Sequence, residues 1–146
     1  MIIFQDQREK KGHHKEIEEY CEKNGIDIIR KRLEVGDYMI PNGNISVDTK
    51  QDLTELAADL YRDKLAYNKK YKKCYRDKIQ LVVLVEEKVS SLTDIAKWRS
   101  PHTKITGKLL LDMMNTVRVS YGVKFMFCDK KDVGSTVMSI LQTKSP

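Results

Sequence analysis

Cysteine is scarce and shows no pairing pattern. Only Cys21, Cys74 and Cys128 occur, far apart and in no Cys-x-x-Cys arrangement. An odd, scattered set argues against a disulfide framework or a cysteine zinc site, and fits a reducing compartment. Long apolar runs are missing as well. The chain has no leading segment of signal-peptide type and no stretch of about twenty apolar residues, so the expectation is a soluble, intracellular, cytoplasmic protein. There is no internal repeat, no low-complexity linker, no Walker-type glycine loop and no Gly-x-Ser-x-Gly. Neither a P-loop nor a nucleophile elbow organises this chain. What it does have is charge. Residues are 33% charged and 40% apolar, with a formal net charge of +6. That is a globular composition, and its positive charge favours an anionic partner without saying which one. The 146 residues suit one domain, residues 1–146, with a real core.

The most informative stretch runs from Gly36 to Lys50. It reads as two short strands around the turn Pro41-Asn42-Gly43-Asn44, where Asn-Gly tolerates the positive φ a hairpin needs. Ile45 and Val47 alternate with Ser46 and Asp48, the period of a strand with one face in a core. Asp48 and Lys50 therefore share the other face. Asp37 starts the partner strand. Two carboxylates on neighbouring strands can hold Mg²⁺, which takes few protein ligands and keeps its waters. Such a metal stabilises charge on a scissile phosphate and activates a water. Lys50 can orient that water or stabilise the oxyanion. Asp-x-Lys by itself is also what an ordinary charged surface hairpin carries.

The rest alternates strand and helix. Met1 to Gln5 is an apolar strand, followed by Asp6-Gln7-Arg8-Glu9, which is either part of a site or a polar loop. His13 and His14 are adjacent and would point apart on a helix, with no third ligand close in sequence, so a solvated or phosphate-facing loop is the better reading. Glu16 to Lys23 is helical with Ile17, Tyr20 and Cys21 inward, stopped by Asn24-Gly25. Ile26 to Leu33 is a strand whose Arg30-Lys31-Arg32 is an exposed end or a phosphate contact. Asp52 caps the next helix or faces the metal; the cap is favoured. Leu53, Leu56, Ala57, Leu60 and Tyr61 form that helix's apolar face. Lys64 to Lys78 is the most basic stretch. Tyr67, Tyr71 and Tyr75 stripe one helical face, and Lys69, Lys70, Lys72, Lys73 and Arg76 line a DNA groove or a solvated surface. Ile79 to Val85 is a buried strand, with Glu86 and Glu87 at its exposed end. Leu92 to Trp98 is a short helix, and Arg99 to Lys104 a basic loop. A helix from Gly107 to Tyr121 turns Leu110, Leu111, Met114 and Val117 inward. A strand from Val123 to Cys128 carries Phe125 and Phe127 on one face, and Asp132 caps a helix to Leu141. The expected fold is an α/β sandwich with a mixed central sheet flanked by helices.

These residues resemble a known family. Asp6-Gln7-Arg8-Glu9, Leu33-Glu34-Val35-Gly36-Asp37-Tyr38 and Val47-Asp48-Thr49-Lys50 are similar, in order, to the three motifs of XPF-type structure-specific endonucleases. That family belongs to the restriction-endonuclease-like PD-(D/E)xK superfamily. The resemblance covers nearly the whole chain. It implies a restriction-endonuclease-like sandwich and Mg²⁺- or Mn²⁺-dependent cleavage of DNA near flaps, forks and crossovers, the structures met in repair and recombination. Carried over by position, Asp37 and Asp48 would hold the metal, and Asp6 would help bind it or orient its water. Lys50 would assist the attack, with Arg8 and Glu9 completing the site. Asp48 stands where the family has Glu, and Thr49 where it has Arg. The family's later aspartate in this motif is matched by Leu53, with Asp52 one place earlier. The helix-hairpin-helix domain that usually follows the family's nuclease domain is not found. Relatives pair through the last helices of the nuclease domain, which predicts a homodimer through Val133, Val137, Ile140 and Leu141, or a partner protein. Two other readings stand beside the junction nuclease: a non-catalytic DNA-binding protein of the same fold, and a nuclease acting on non-branched nucleic acid.

Overall fold

The apolar run from Ile79 to Val85 folds as a strand with a neighbour on each side, β5 (Gln80–Val85). Its alternate residues serve two cores, which is why the run has no polar break. Leu81, Val83 and Val85 enter one apolar cluster, Val82 and Leu84 the other. The computed structural model describes residues 1–8 and 14–143. Among these, the sheet has six strands in the order β2-β1-β3-β4-β5-β6. They are β1 (Ile2–Asp6), β2 (Asp27–Lys31), β3 (Tyr38–Met39), β4 (Ile45–Lys50), β5 and β6 (Lys124–Phe127). β1 and β2 are parallel, β3 runs antiparallel to both β1 and β4, and β4, β5 and β6 are parallel. The expected mixed sheet, flanked by helices, is what forms.

Two helices, α1 (Lys15–Lys23) and α6 (Val133–Gln142), cover the face that carries Ile3, Val47 and Leu84. They approach closely: a Cβ on Gly134 would lie 2.4 Å from that of Tyr20. The other face is covered by α2 (Leu53–Tyr61), α3 (Lys64–Arg76), α4 (Leu92–Lys97) and α5 (Gly107–Tyr121). Asp52 caps α2 as favoured, its Oδ1 accepting the Glu55 N–H at 2.8 Å. The turn at 41–44 also forms as expected, with Asn42 at φ +61°. No helix among the described residues is long and apolar enough to cross a membrane.

Several sequence expectations need correction. Tyr61 and Tyr75 are 56% and 64% exposed, not inward. A four-residue step overshoots a 3.6-residue turn by about 40°, so the third member of such a stripe leaves the buried face. Of the α3 tyrosines, only Tyr71 is fully buried. Asp132 precedes α6 but makes no side-chain cap; its carbonyl instead accepts from Ser135 Oγ and Thr136 Oγ1. Glu87 is half-buried rather than a free strand end, and its Oε1 accepts the Leu53 N–H at 3.0 Å, holding the start of α2. Val133, Val137, Ile140 and Leu141 all lie in the core against the sheet, so they cannot form a pairing surface.

Candidate active site

The site begins where the sheet is least regular. β3 pairs with β4 only at Tyr38 and Val47. Gly36, at φ +75°, turns the chain away before the pairing can continue. A Cβ there would lie 2.0 Å from Ser46 Oγ, and that hydroxyl donates to the Val35 carbonyl at 2.8 Å. The swerve leaves the Thr49 N–H without a strand partner on that side. Asp37 takes its place: Oδ2 accepts from Thr49 N at 2.9 Å and from Thr49 Oγ1 at 2.8 Å. Thr49, standing where the family has a cation, thus orients the first acid. His14 Nδ1 lies 3.4 Å from the same hydroxyl.

β4 then presents Asp48 and Lys50 on one face, as the period of two requires. The Lys50 side chain is only 5% exposed, and its Nζ is 3.3 Å from Asp48 Oδ2. It also meets an acid outside all three motifs. Asp59, on the inner side of α2, brings Oδ2 to 2.5 Å from Nζ, a charge contact rather than a well-aligned hydrogen bond. Nζ donates to Tyr67 Oη at 3.4 Å and sits 4.9 Å from that ring's centroid. Burial opposes the ammonium's charge, but Asp48 and Asp59 outweigh it and hold its pKa well above the usual lysine value. Lys50 is therefore a cation and a donor at neutral pH, not a base. Burial also pushes the Tyr67 phenol up to about 12, so it stays neutral.

Asp6 closes the other wall. Its Oδ1 accepts the Leu33 N–H at 3.0 Å and its Oδ2 accepts Arg8 Nε at 2.9 Å. Arg8 in turn donates to the Leu33 carbonyl at 2.6 Å and remains half-exposed. Asp6, Arg8, Asp37, Asp48, Lys50, Tyr67 and Lys70 all line one open cleft of about 300 Å³. Tyr71 lines it too, its buried hydroxyl lacking a hydrogen-bond partner among the described residues. Glu9, expected to complete the site, lies outside the described residues, as does His13. Glu86 stands not in this cleft but in a smaller adjoining hollow of about 70 Å³, with His14, Thr49 and Glu55.

Of the basic residues on α3, only Lys70 reaches the cleft, 4.9 Å above the Tyr67 ring. Lys73 is paired with Glu34 at 3.1 Å, while Lys69, Lys72 and Arg76 are exposed without lining it. Asp59 was missed because it falls among the apolar positions of α2, and its partner is set by tertiary packing. The one available signal was an acid at a position flanked by inward Leu56 and Leu60.

The donor set suits a hard divalent cation. Asp37 and Asp48 both line the open cleft, and Mg²⁺ needs only one or two carboxylate ligands besides water and substrate. Among the described residues no three acidic, histidine or cysteine side chains gather into a closed metal cage. A cation held by these two acids would take its remaining ligands from solvent or substrate.

Comparison with known proteins places this geometry. No curated protein matches the chain. Among solved structures, XPF from Aeropyrum pernix superimposes with a TM-score of 0.70 at 19% identity, over 99% of this chain and 63% of that one. XPF from Aeropyrum pernix in complex with DNA gives 0.69 at 20% identity, over 97% and 63%. This chain thus spans about 63% of the length of those relatives. The model of the ERCC4 domain matches residues 5–139, nearly the whole chain, and the protein belongs to the ERCC4 domain family.

Proposed function

We propose that the protein is a Mg²⁺- or Mn²⁺-dependent DNA endonuclease that hydrolyses phosphodiester bonds near branched or flapped junctions. The observation that carries this reading is the convergence of Asp37, Asp48 and Lys50 in one cleft, with Lys70 at its wall. Asp37 and Asp48 would hold the cation, and Asp6 would reach it through a water, since both its oxygens already serve Leu33 and Arg8. A bound cation supplies Lewis-acid stabilisation of the phosphate and lowers the pKa of a water. The chain's own part is placement and charge. Thr49 fixes the carboxylate of Asp37, the buried ammonium of Lys50 faces the negative charge that develops on the phosphate, and Arg8 and Lys70 attract the DNA backbone. The likeness to the DNA-bound XPF structure supports DNA as the polymer. A second copy or a partner protein would supply the further contacts that distinguish a junction from plain duplex.

The test is cleavage of labelled flap, crossover, duplex and single-stranded DNA with Mg²⁺, with and without EDTA. Asp37→Asn and Asp48→Asn should each lower cleavage by orders of magnitude while DNA binding in Ca²⁺ persists. Lys50→Met should cost about 3–4 kcal/mol of transition-state stabilisation, the scale of losing one oxyanion donor. Binding without cleavage in the wild type would make this a DNA-binding member of the fold. Equal cleavage of all substrates would make it a nuclease of non-branched nucleic acid. Wild-type rates in both Asp37→Asn and Lys50→Met would place the chemistry elsewhere.

A further inference from the structure

We infer that Asp59, a residue outside the three motifs, neutralises Lys50 and so leaves the charge of Asp48 available to a divalent cation. The inference rests on the metal-site reading given under Proposed function. A carboxylate on the inner side of α2 is out of place there. Leu53, Leu56, Ala57 and Leu60 are all at most 4% exposed, and Asp59 is 9% exposed. Burying a carboxylate is unfavourable unless a partner compensates it. Its partner is Lys50, at 2.5 Å, closer than Asp48 is to the same ammonium, at 3.3 Å.

The arithmetic of the three groups decides the function. Asp48, Lys50 and Asp59 together carry one net negative charge. Without Asp59, Lys50 and Asp48 would cancel, and a cation approaching Asp48 would have to break a buried ion pair to bind. With Asp59 in place, the ammonium has a second carboxylate to stay against. It remains beside Asp48 as a donor to substrate without consuming that acid's charge. Tyr67 strengthens the arrangement: its hydroxyl accepts from Nζ and its ring lies under the cation, which keeps the ammonium near α3. Asp59 is thus a positioning residue that acts through Lys50, and its effect falls on metal affinity before it falls on chemistry.

The experiment is calorimetric titration of the whole chain with Mn²⁺, without DNA. Asp59→Asn should weaken Mn²⁺ binding by about ten-fold or more, the scale of one unit charge a few ångströms away at an interior dielectric. Lys50→Met should tighten it. The double variant Asp59→Asn/Lys50→Met restores the net charge of the group and should bind within about three-fold of wild type, a non-additivity expected only of coupled residues. It should still fail to cleave, since the donor is gone. A double variant as weak as Asp59→Asn alone would overturn the inference, because Asp59 would then act as a ligand or as a purely structural residue. Should Asp59→Asn fail to fold, the Lys50→Met variant decides alone: unchanged or weaker Mn²⁺ binding overturns the inference. Asp48→Asn separates the two levels. If it binds Mn²⁺ as wild type does, the metal-site reading itself is wrong and this inference falls with it. If it loses Mn²⁺ while the double variant stays weak, only the role of Asp59 is lost.

Discussion

At the scale of single residues, Gly36 shows how one absent side chain builds the site. Its φ of +75° turns the chain just before Asp37, whose backbone still bonds Asp6 and Val47 while its carboxylate reaches Thr49. Gly36→Ala would have to hold an unfavourable backbone conformation and push aside Ser46 Oγ, 2.0 Å from the new Cβ. The expected loss is about 1–3 kcal/mol of stability in urea denaturation, with a larger fall in cleavage because Asp37 shifts with the loop. Ser46→Gly in that background removes the closest contact but not the strain at φ, so it should recover part of the stability and no more. Full recovery would mean that φ contributes nothing. This part of the site was legible in the sequence, because Gly-Asp-Tyr and Asp-x-Lys have local causes: a turn, and the two-residue period of a strand. Asp59 was not, because nothing local distinguishes an acid that finds a buried lysine from one that faces water.

At the scale of elements, α3 separates a basic sequence from a basic groove. Five of its cations were candidates for DNA, but a helix has two sides, and only Lys70 lines the cleft. Lys73 already has Glu34 at 3.1 Å. Each phosphate contact adds roughly 0.9 to the slope of log affinity against log salt for duplex DNA. Lys70→Gln should therefore flatten that slope by about 0.9, whereas Lys73→Gln should change it less, because the lysine's charge is shared with Glu34. A slope untouched by Lys70→Gln would mean that this wall of the cleft does not meet the backbone. The existence of α3 followed from periodicity. Its rotation about its axis did not, since the tyrosine stripe drifts off the buried face and leaves Tyr75 64% exposed.

At the scale of the molecule, two cores on either side of one sheet account for most of what the sequence made visible. The uninterrupted apolar run of β5 serves both, and the short pairing of β3 with β4 opens the cleft beside the sheet's two central strands. The residues expected to pair two chains turn out to be core for the same reason that the fold was legible. Apolar residues at helical spacing say that a face is buried, not against what. Val133, Val137, Ile140 and Leu141 close the core beneath α6, with Leu141 only 2% exposed. Leu141→Ala should thus destabilise each chain by about 2–5 kcal/mol, as cavity-forming core substitutions do. The loss of melting temperature should be the same at low and at high protein concentration. An interface residue would behave differently, since the stability of an associating species depends on concentration by mass action. If light scattering at micromolar concentration finds a dimer, Leu141→Ala should leave its mass unchanged while lowering its melting point. A variant that becomes monomeric yet melts like the wild type would put Leu141 on the pairing surface after all, and α6 would have to pack differently from the arrangement described.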